Sequence, residues 1–113
     1  MSTMDFDEYQ RQAIRTNLSN DDPLKELMQQ VLGIGDEAGE VLAIFKKWIR
    51  DQDADIAALD KKNIAKELGD VLWYVAVLAD DLGISLNAIA ESNITKLSSR
   101  QQRGTLTGSG DDR

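Results

Sequence analysis

The sequence predicts an all-α domain, a four-helix bundle, and three observations carry that expectation. Apolar residues recur at helical spacing through four separate runs. The runs are bracketed by residues that start or stop helices, among them Asp22-Pro23 and Gly83. The third run, Val71-Leu72-Trp73-Tyr74-Val75-Ala76-Val77-Leu78-Ala79, is apolar on every side, which marks a helix buried on every side. A chain of 113 residues suits one core, and 42% hydrophobic residues favour folding over disorder.

The first helix is expected over residues 5–16, with Phe6, Tyr9, Ala13 and Ile14 apolar; Asp5 and Glu8 have the spacing of an N-cap and its reciprocal partner. Thr16 to Asp21 is a polar connector. Asp22 then caps a second helix from Pro23 to about Arg50, whose stripe includes Leu24, Leu27, Met28, Val31, Leu32, Ala38, Val41, Leu42, Phe45 and Ile49. Gly33, Gly35 and Gly39 cost about 1 kcal/mol each inside a helix, so they imply either a close backbone approach or a local break before Glu37. Asp51 to Asp60 is an acidic loop, with Asp60 or a neighbour capping a third helix from about Lys61 to Leu82. Gly83 ends that helix, and Ser85 caps a fourth from about Leu86 to Ser99, with Ile89, Ala90, Ile94 and Leu97 inward. The domain thus spans 1–99. Residues 100–113, with Gly104, Gly108, Gly110 and one bulky apolar residue, Leu106, form a flexible tail, either disordered or ordered by substrate or partner. Three other helices, one of them short, do not cover an all-round apolar helix, so a two-fold homo-oligomer is expected.

Composition removes several chemistries. Cysteine is absent, which excludes disulfides and thiolates. Histidine is absent too, so His-based triads and zinc or di-iron sites built on His cannot form. Carboxylates, Lys, Tyr, hydroxyls and bound metal remain. A net charge of −7 argues against binding a nucleic acid polymer. No apolar run approaches the ~18 residues of a membrane span, and Met1-Ser2-Thr3-Met4-Asp5 is neither basic nor apolar. A cytoplasmic protein, with no signal peptide and no membrane partner, is expected.

Two acidic pairs stand out: Glu37/Glu40 and Glu67/Asp70, each three residues apart on one helix face. Spacing alone says little, because roughly three such pairs are expected by chance in a chain this acidic, and the third, Asp5/Glu8, reads as a cap. Context says more. At ~100° per residue, Tyr74 falls between Glu67 and Asp70 one turn on, and Ile44 and Trp48 follow Glu37 and Glu40 in the same way. Both pairs therefore sit on faces that turn apolar and aromatic, where a solvated face stays polar. Asp36 borders the first pair. Carboxylates packed together need cations to offset them, which points to a divalent metal and a phosphate-bearing substrate.

The pattern Asp36-Glu37-x-x-Glu40 followed by Glu67-x-x-Asp70 resembles the Glu-Glu-x-x-Glu … Glu-x-x-Asp signature of the MazG-like, all-α nucleoside triphosphate pyrophosphohydrolases. Asp7-Glu8-Tyr9-Gln10, Gly35-Asp36-Glu37-Ala38-Gly39-Glu40-Val41 and Glu67-Leu68-Gly69-Asp70-Val71-Leu72-Trp73-Tyr74 fit as well, in order along nearly the whole chain. The resemblance implies a helical bundle acting as a homodimer or homotetramer. It implies Mg²⁺ or Mn²⁺ held by Glu37, Glu40, Glu67 and Asp70, and cleavage of an NTP or dNTP between the α and β phosphates to NMP and pyrophosphate. Tyr74, Asn93 and Lys96 match positions that contact the nucleotide in relatives. Asp36 departs from the Glu of the signature; its shorter side chain suits contact with a metal through water.

The residue inventory agrees. With no His or Cys, a cation that lowers the pKa of water and neutralises phosphate oxygens is the natural route, and Asp36 or another site carboxylate is a candidate for the water's proton. Lys96, Arg100 and Arg103 form a basic cluster suited to phosphate, or simply complement a helix C-terminus. Lys46 and Lys47 read as solvated, Trp48 and Trp73 as core or interface. Two rival readings stand beside this one: a non-catalytic helical interaction module, and the related phosphoribosyl-ATP pyrophosphohydrolase. Base and sugar stay open.

Overall fold

The computed structural model describes residues 3–113; Met1 and Ser2, on which the expected absence of a signal peptide partly rests, lie outside the described residues. The described residues form helices α1 (Phe6–Arg15), α2 (Pro23–Gln52), α3 (Lys61–Asp81) and α4 (Leu86–Gln102), with a 3₁₀ turn at Ile56–Ala58 and no strand. The starts follow the capping residues. Asp5 accepts the Glu8 N–H at 2.7 Å, Asp22 that of Leu24 at 3.1 Å, Asp60 that of Asn63 at 3.1 Å and Ser85 that of Ala88 at 3.2 Å. The reciprocal half of the α1 cap does not form. Glu8 turns instead to Arg11 at 3.0 Å and Gln12 at 2.9 Å, because a guanidinium outcompetes a neutral backbone N–H for a carboxylate.

Helix α2 runs unbroken through its three glycines, and the close approach, not the break, is realised at Gly33. It is buried against the Tyr74 ring, where a Cβ would overlap the aromatic carbons. Gly35 and Gly39 meet nothing within 4 Å. The helix overshoots Arg50 and ends through Asp53 and Ala54, both left-handed at φ 51° and 53°, with the Ala54 N–H donating to the Trp48 carbonyl at 3.4 Å. At its far end α3 stops where Gly83 takes φ 71°, and the Ile84 N–H reaches the Ala79 carbonyl at 2.8 Å.

Helices α2 and α3 lie side by side and antiparallel, the most extensive contact in the chain; α1 packs on α3, and α4 on α1 and, less, on α3. Helix α4 is turned 105° from α3. The core is small: Ala13, Ala76, Val77 and Leu86 buried, with Tyr9, Leu72, Trp73 and Val75 against them. Gln10 locks this corner. Its buried carboxamide donates to the Ala76 and Ile84 carbonyls at 3.1 and 3.0 Å and accepts from the Leu86 N–H at 3.0 Å, so α1, α3 and the start of α4 share one polar pin.

The chain by itself is open. Its radius of gyration is 17.3 Å, against ~13 Å for a compact domain of this length. The apolar run of α3 is everywhere at least half-buried; large apolar residues are exposed instead on α2, at Leu24, Met28, Val31, Leu32, Leu42 and Ile49, and on α4, where Ile89, Ile94 and Leu97, expected inward, meet no cover within one chain because α4 packs on α1 and only slightly on α3. Among the described residues, no single helix is long and apolar enough to cross a membrane.

Helix α4 runs past Ser99 to Gln102, and residues 103–113 fold into turns against it. Arg100 is buried, and donates to the Asp111 backbone carbonyl and to its carboxylate at 3.2 Å; Lys96 reaches the same carboxylate at 2.9 Å. Arg103 donates to the Arg113 carbonyl at 2.9 Å, while the Arg113 guanidinium gathers the carbonyls of Thr105, Leu106 and Gly110. These contacts give the Gly-rich tail its path.

Candidate metal centre

The antiparallel packing of α2 on α3 sets Glu37 opposite Glu67 and Asp70. One carboxylate oxygen from each of the three lies within 4.8 Å of the others. Glu37 and Glu67 are half-buried and Asp70 is exposed. Burial pushes the Glu37 carboxyl above its usual value, and the charges of Asp70, Glu67 and Asp36 push it further in the same direction. The cluster therefore carries negative charge that the neighbouring side chains leave uncompensated. Hard carboxylate oxygens converging from two helices suit Mg²⁺ or Mn²⁺ rather than a soft metal.

The other expected ligand, Glu40, is one turn further along α2 and lines a neighbouring cleft of about 400 Å³ with Glu67, Lys47, Trp48 and Asn63. Trp48 is fixed there, donating to the Asp55 carbonyl at 2.7 Å. Asp36 lines another cavity, of about 500 Å³. Tyr74 is shared by this cavity and a smaller cleft over the cluster, which it walls with Trp73, Thr16, Glu37 and Asp70. Trp73 and Tyr74 meet edge to face, centroids 4.9 Å apart.

The structure does not bring the basic residues to this centre within one chain. Asn93 and Lys96 line a separate cavity with Ile84, Ala88, Ile89 and Asp111, and none of the four site carboxylates borders it. Arg100 and Arg103 are tied to the tail.

Two further residues reach the centre that helical spacing did not place there. Thr16, in the polar connector, accepts from the Trp73 indole N–H at 2.7 Å and so holds that ring at the cleft. Tyr9 lies close enough that the Asp70 charge, after burial, raises its phenol above the usual value. Both come from chain far from the acidic helices, and only the packing of α1 on α3 delivers them.

A metal centre of this kind has a measurable consequence. Because Glu37 is raised above 4.5, its protonated form favours the fold. That contribution is present below its usual value and is lost as the pH rises through the raised one. A cation binds the deprotonated cluster. The increase in melting temperature on adding Mg²⁺ or Mn²⁺ should therefore be larger at about pH 7 than at about pH 5, and an equal increase at both would contradict metal binding at Glu37.

The MazG nucleotide pyrophosphohydrolase domain family matches residues 25–105, a range that holds all four expected carboxylate ligands and Asp36. The Gene 37 protein of Mycobacterium phage L5 is similar, 40% identical over 101 residues, which is 89% of this chain and 89% of that protein. No solved structure matches the chain.

Proposed function

We propose, from the premise that this chain belongs to the MazG nucleotide pyrophosphohydrolase family, that it hydrolyses a nucleoside triphosphate between the α and β phosphates. The products are NMP and pyrophosphate. The observation that carries the reading is the Glu37–Glu67–Asp70 cluster, three carboxylates held within 4.8 Å by two packed helices beneath an aromatic wall.

In this reading Glu37, Glu67 and Asp70 hold Mg²⁺ or Mn²⁺, with Glu40 completing the set from the adjoining cleft. A bound divalent cation supplies neutralisation of phosphate charge and a lowered water pKa. The chain's own groups do the rest. Asp36, beside Glu37 and facing the larger cavity, takes the proton of the attacking water. Tyr74 fixes the nucleoside against the centre, its ring locked by Gly33 and Trp73. Trp73 and Thr16 exclude bulk water on the α1 side.

The basic residues enter from a second copy. The exposed apolar stripe of α2 and the open shape of the protomer are the surfaces that a homodimer or homotetramer covers. Such an assembly offers Asn93, Lys96, Arg100 and Arg103 a route to the phosphates that one chain lacks. There a polyphosphate, carrying several charges, replaces the single Asp111 carboxylate on Lys96 and Arg100. Sedimentation giving the mass of one chain under assay conditions would count against this arrangement.

The direct test is pyrophosphate release from the eight common ribo- and deoxyribonucleoside triphosphates with Mg²⁺ or Mn²⁺, and with the metal chelated. At least one nucleotide should be turned over, and only with metal. Release from none of them overturns the reading.

A further inference from the structure

The cavity of about 500 Å³ between α2, the α1–α2 connector and the Trp73–Tyr74 pair is lined by Glu26, Gln29, Gln30, Asn17 and Asp36, among others, and by no lysine or arginine. Its charged lining is the carboxylates of Glu26 and Asp36, so it disfavours phosphate and suits an uncharged, hydrogen-bonding ring. It adjoins the carboxylate cluster, sharing Trp73 and Tyr74 with the cleft above Glu37 and Asp70. Gln30 lies two helical turns before Glu37, ~10 Å along the axis, comparable to the reach from an α-phosphate to the far side of its base.

The polar groups are unevenly satisfied. Gln30 is 3% exposed; its carboxamide makes no well-formed hydrogen bond, and the one polar group it influences is the Asp81 carboxyl, which it lowers against the larger effects of burial and the Glu26 and Asp80 charges. A buried amide so weakly paired favours a new partner, and its terminal torsion is soft enough to turn toward a ligand. Glu26 is held in place by Asn17 Nδ2 at 3.2 Å and Ser19 Oγ at 3.4 Å. A carboxylate has about four lone-pair positions, so acceptor capacity remains. Its charge also helps to raise the Asp81 carboxyl, after burial. This end of the cavity is therefore rich in fixed acceptors and short of charged donors.

We infer that this cavity is the nucleobase pocket, and that Glu26 selects a base with an amino group at C4 or C6, cytosine or adenine, over thymine or uracil. An amino group donates to the carboxylate. The carbonyl oxygen that thymine and uracil carry at that position meets its negative charge instead. The inference rests on the pyrophosphohydrolase reading and narrows its substrate class.

The test compares kcat/KM for dCTP, dATP, dTTP and dUTP in the wild-type chain and in Glu26→Gln. A site that hydrogen-bonds a substrate N–H strongly disfavours the analogue lacking it, so one of dCTP and dATP should exceed both dTTP and dUTP by ~10-fold or more. Glutamine can donate as well as accept, so Glu26→Gln should bring the ratio to within ~3-fold, with dTTP or dUTP turnover rising in absolute terms. That gain cannot come from a misfolded variant. Cleavage with no preference between the two classes, or an unchanged ratio in Glu26→Gln, overturns the pocket assignment and leaves the activity standing. No pyrophosphate from any nucleotide overturns the activity and this inference with it.

Discussion

Replacing Asp70 by Asn is expected to cut metal-dependent pyrophosphate release by ~10²-fold or more, while raising the melting temperature of the metal-free chain. The two effects share one cause. Asp70 is the largest of the like charges pressing on Glu37, second only to burial in raising that carboxyl. It also raises Tyr9 across the α1–α3 contact. Asn is nearly isosteric, so α2 and α3 keep their packing while repulsion at the cluster falls. The Glu37 contribution that is lost as pH rises through its raised value then shrinks, and the metal-free fold gains at neutral pH. The same substitution removes a charged oxygen from the ligand set, so the metal-induced rise in melting temperature should fall as well. A variant that loses activity but keeps the full metal response would show that Asp70 is not a ligand. One that is less stable without metal would show that the cluster is not under electrostatic strain. Buffer, metal and protein concentration must be matched, since ligand-induced shifts depend on them.

The helices were legible because the signals that place them are local. Asp5, Asp22, Asp60 and Ser85 each bond to the backbone within three residues, and no distant contact overrides them. What was not legible is long-range. The sequence could not choose between a break and a close approach at the α2 glycines, because that depends on Tyr74, which lies on another helix. Nor could it show that Glu40 shares a neighbouring cleft with Glu67 instead of joining the Glu37–Glu67–Asp70 cluster, since helical spacing places residues on one face without saying which turn meets the partner helix. The 105° turn between α3 and α4 set the basic residues away from the carboxylates, a relation invisible in either helix alone. Tail turns held by Arg100 and Arg113 depend on side chains reaching eleven residues or fewer along the chain, yet composition registers only the glycines and reads them as flexibility. Gln30 and Glu26 carry no such signal, because amides and carboxylates on a helix usually face water.

Gly33→Ala is expected to have the second largest effect, and it separates backbone approach from helix propensity. On propensity alone the change should stabilise α2 by up to about 1 kcal/mol. The structure reverses that sign. A Cβ at position 33 would fall inside contact distance of the Tyr74 ring, among carbons of a half-buried aromatic that is itself braced edge to face by Trp73. The ring cannot swing away freely, because Trp73 is pinned through its indole N–H to Thr16. Either Tyr74 leaves its rotamer or α2 moves off α3, and overpacking of this kind costs about 1–3 kcal/mol. Glu37, one turn on, would shift with the helix, and Asp70 lies one turn from Tyr74, so the cluster loosens from both sides. A lower melting temperature should therefore come with a higher KM and a weakened metal response. Gly35→Ala serves as the control: nothing lies within 4 Å of the Cβ it would add, so in the single chain propensity alone acts and stability should rise. If Gly33→Ala stabilised the protein as Gly35→Ala does, the close packing of α2 against Tyr74, and with it the placement of the cluster beneath the aromatic wall, would be wrong.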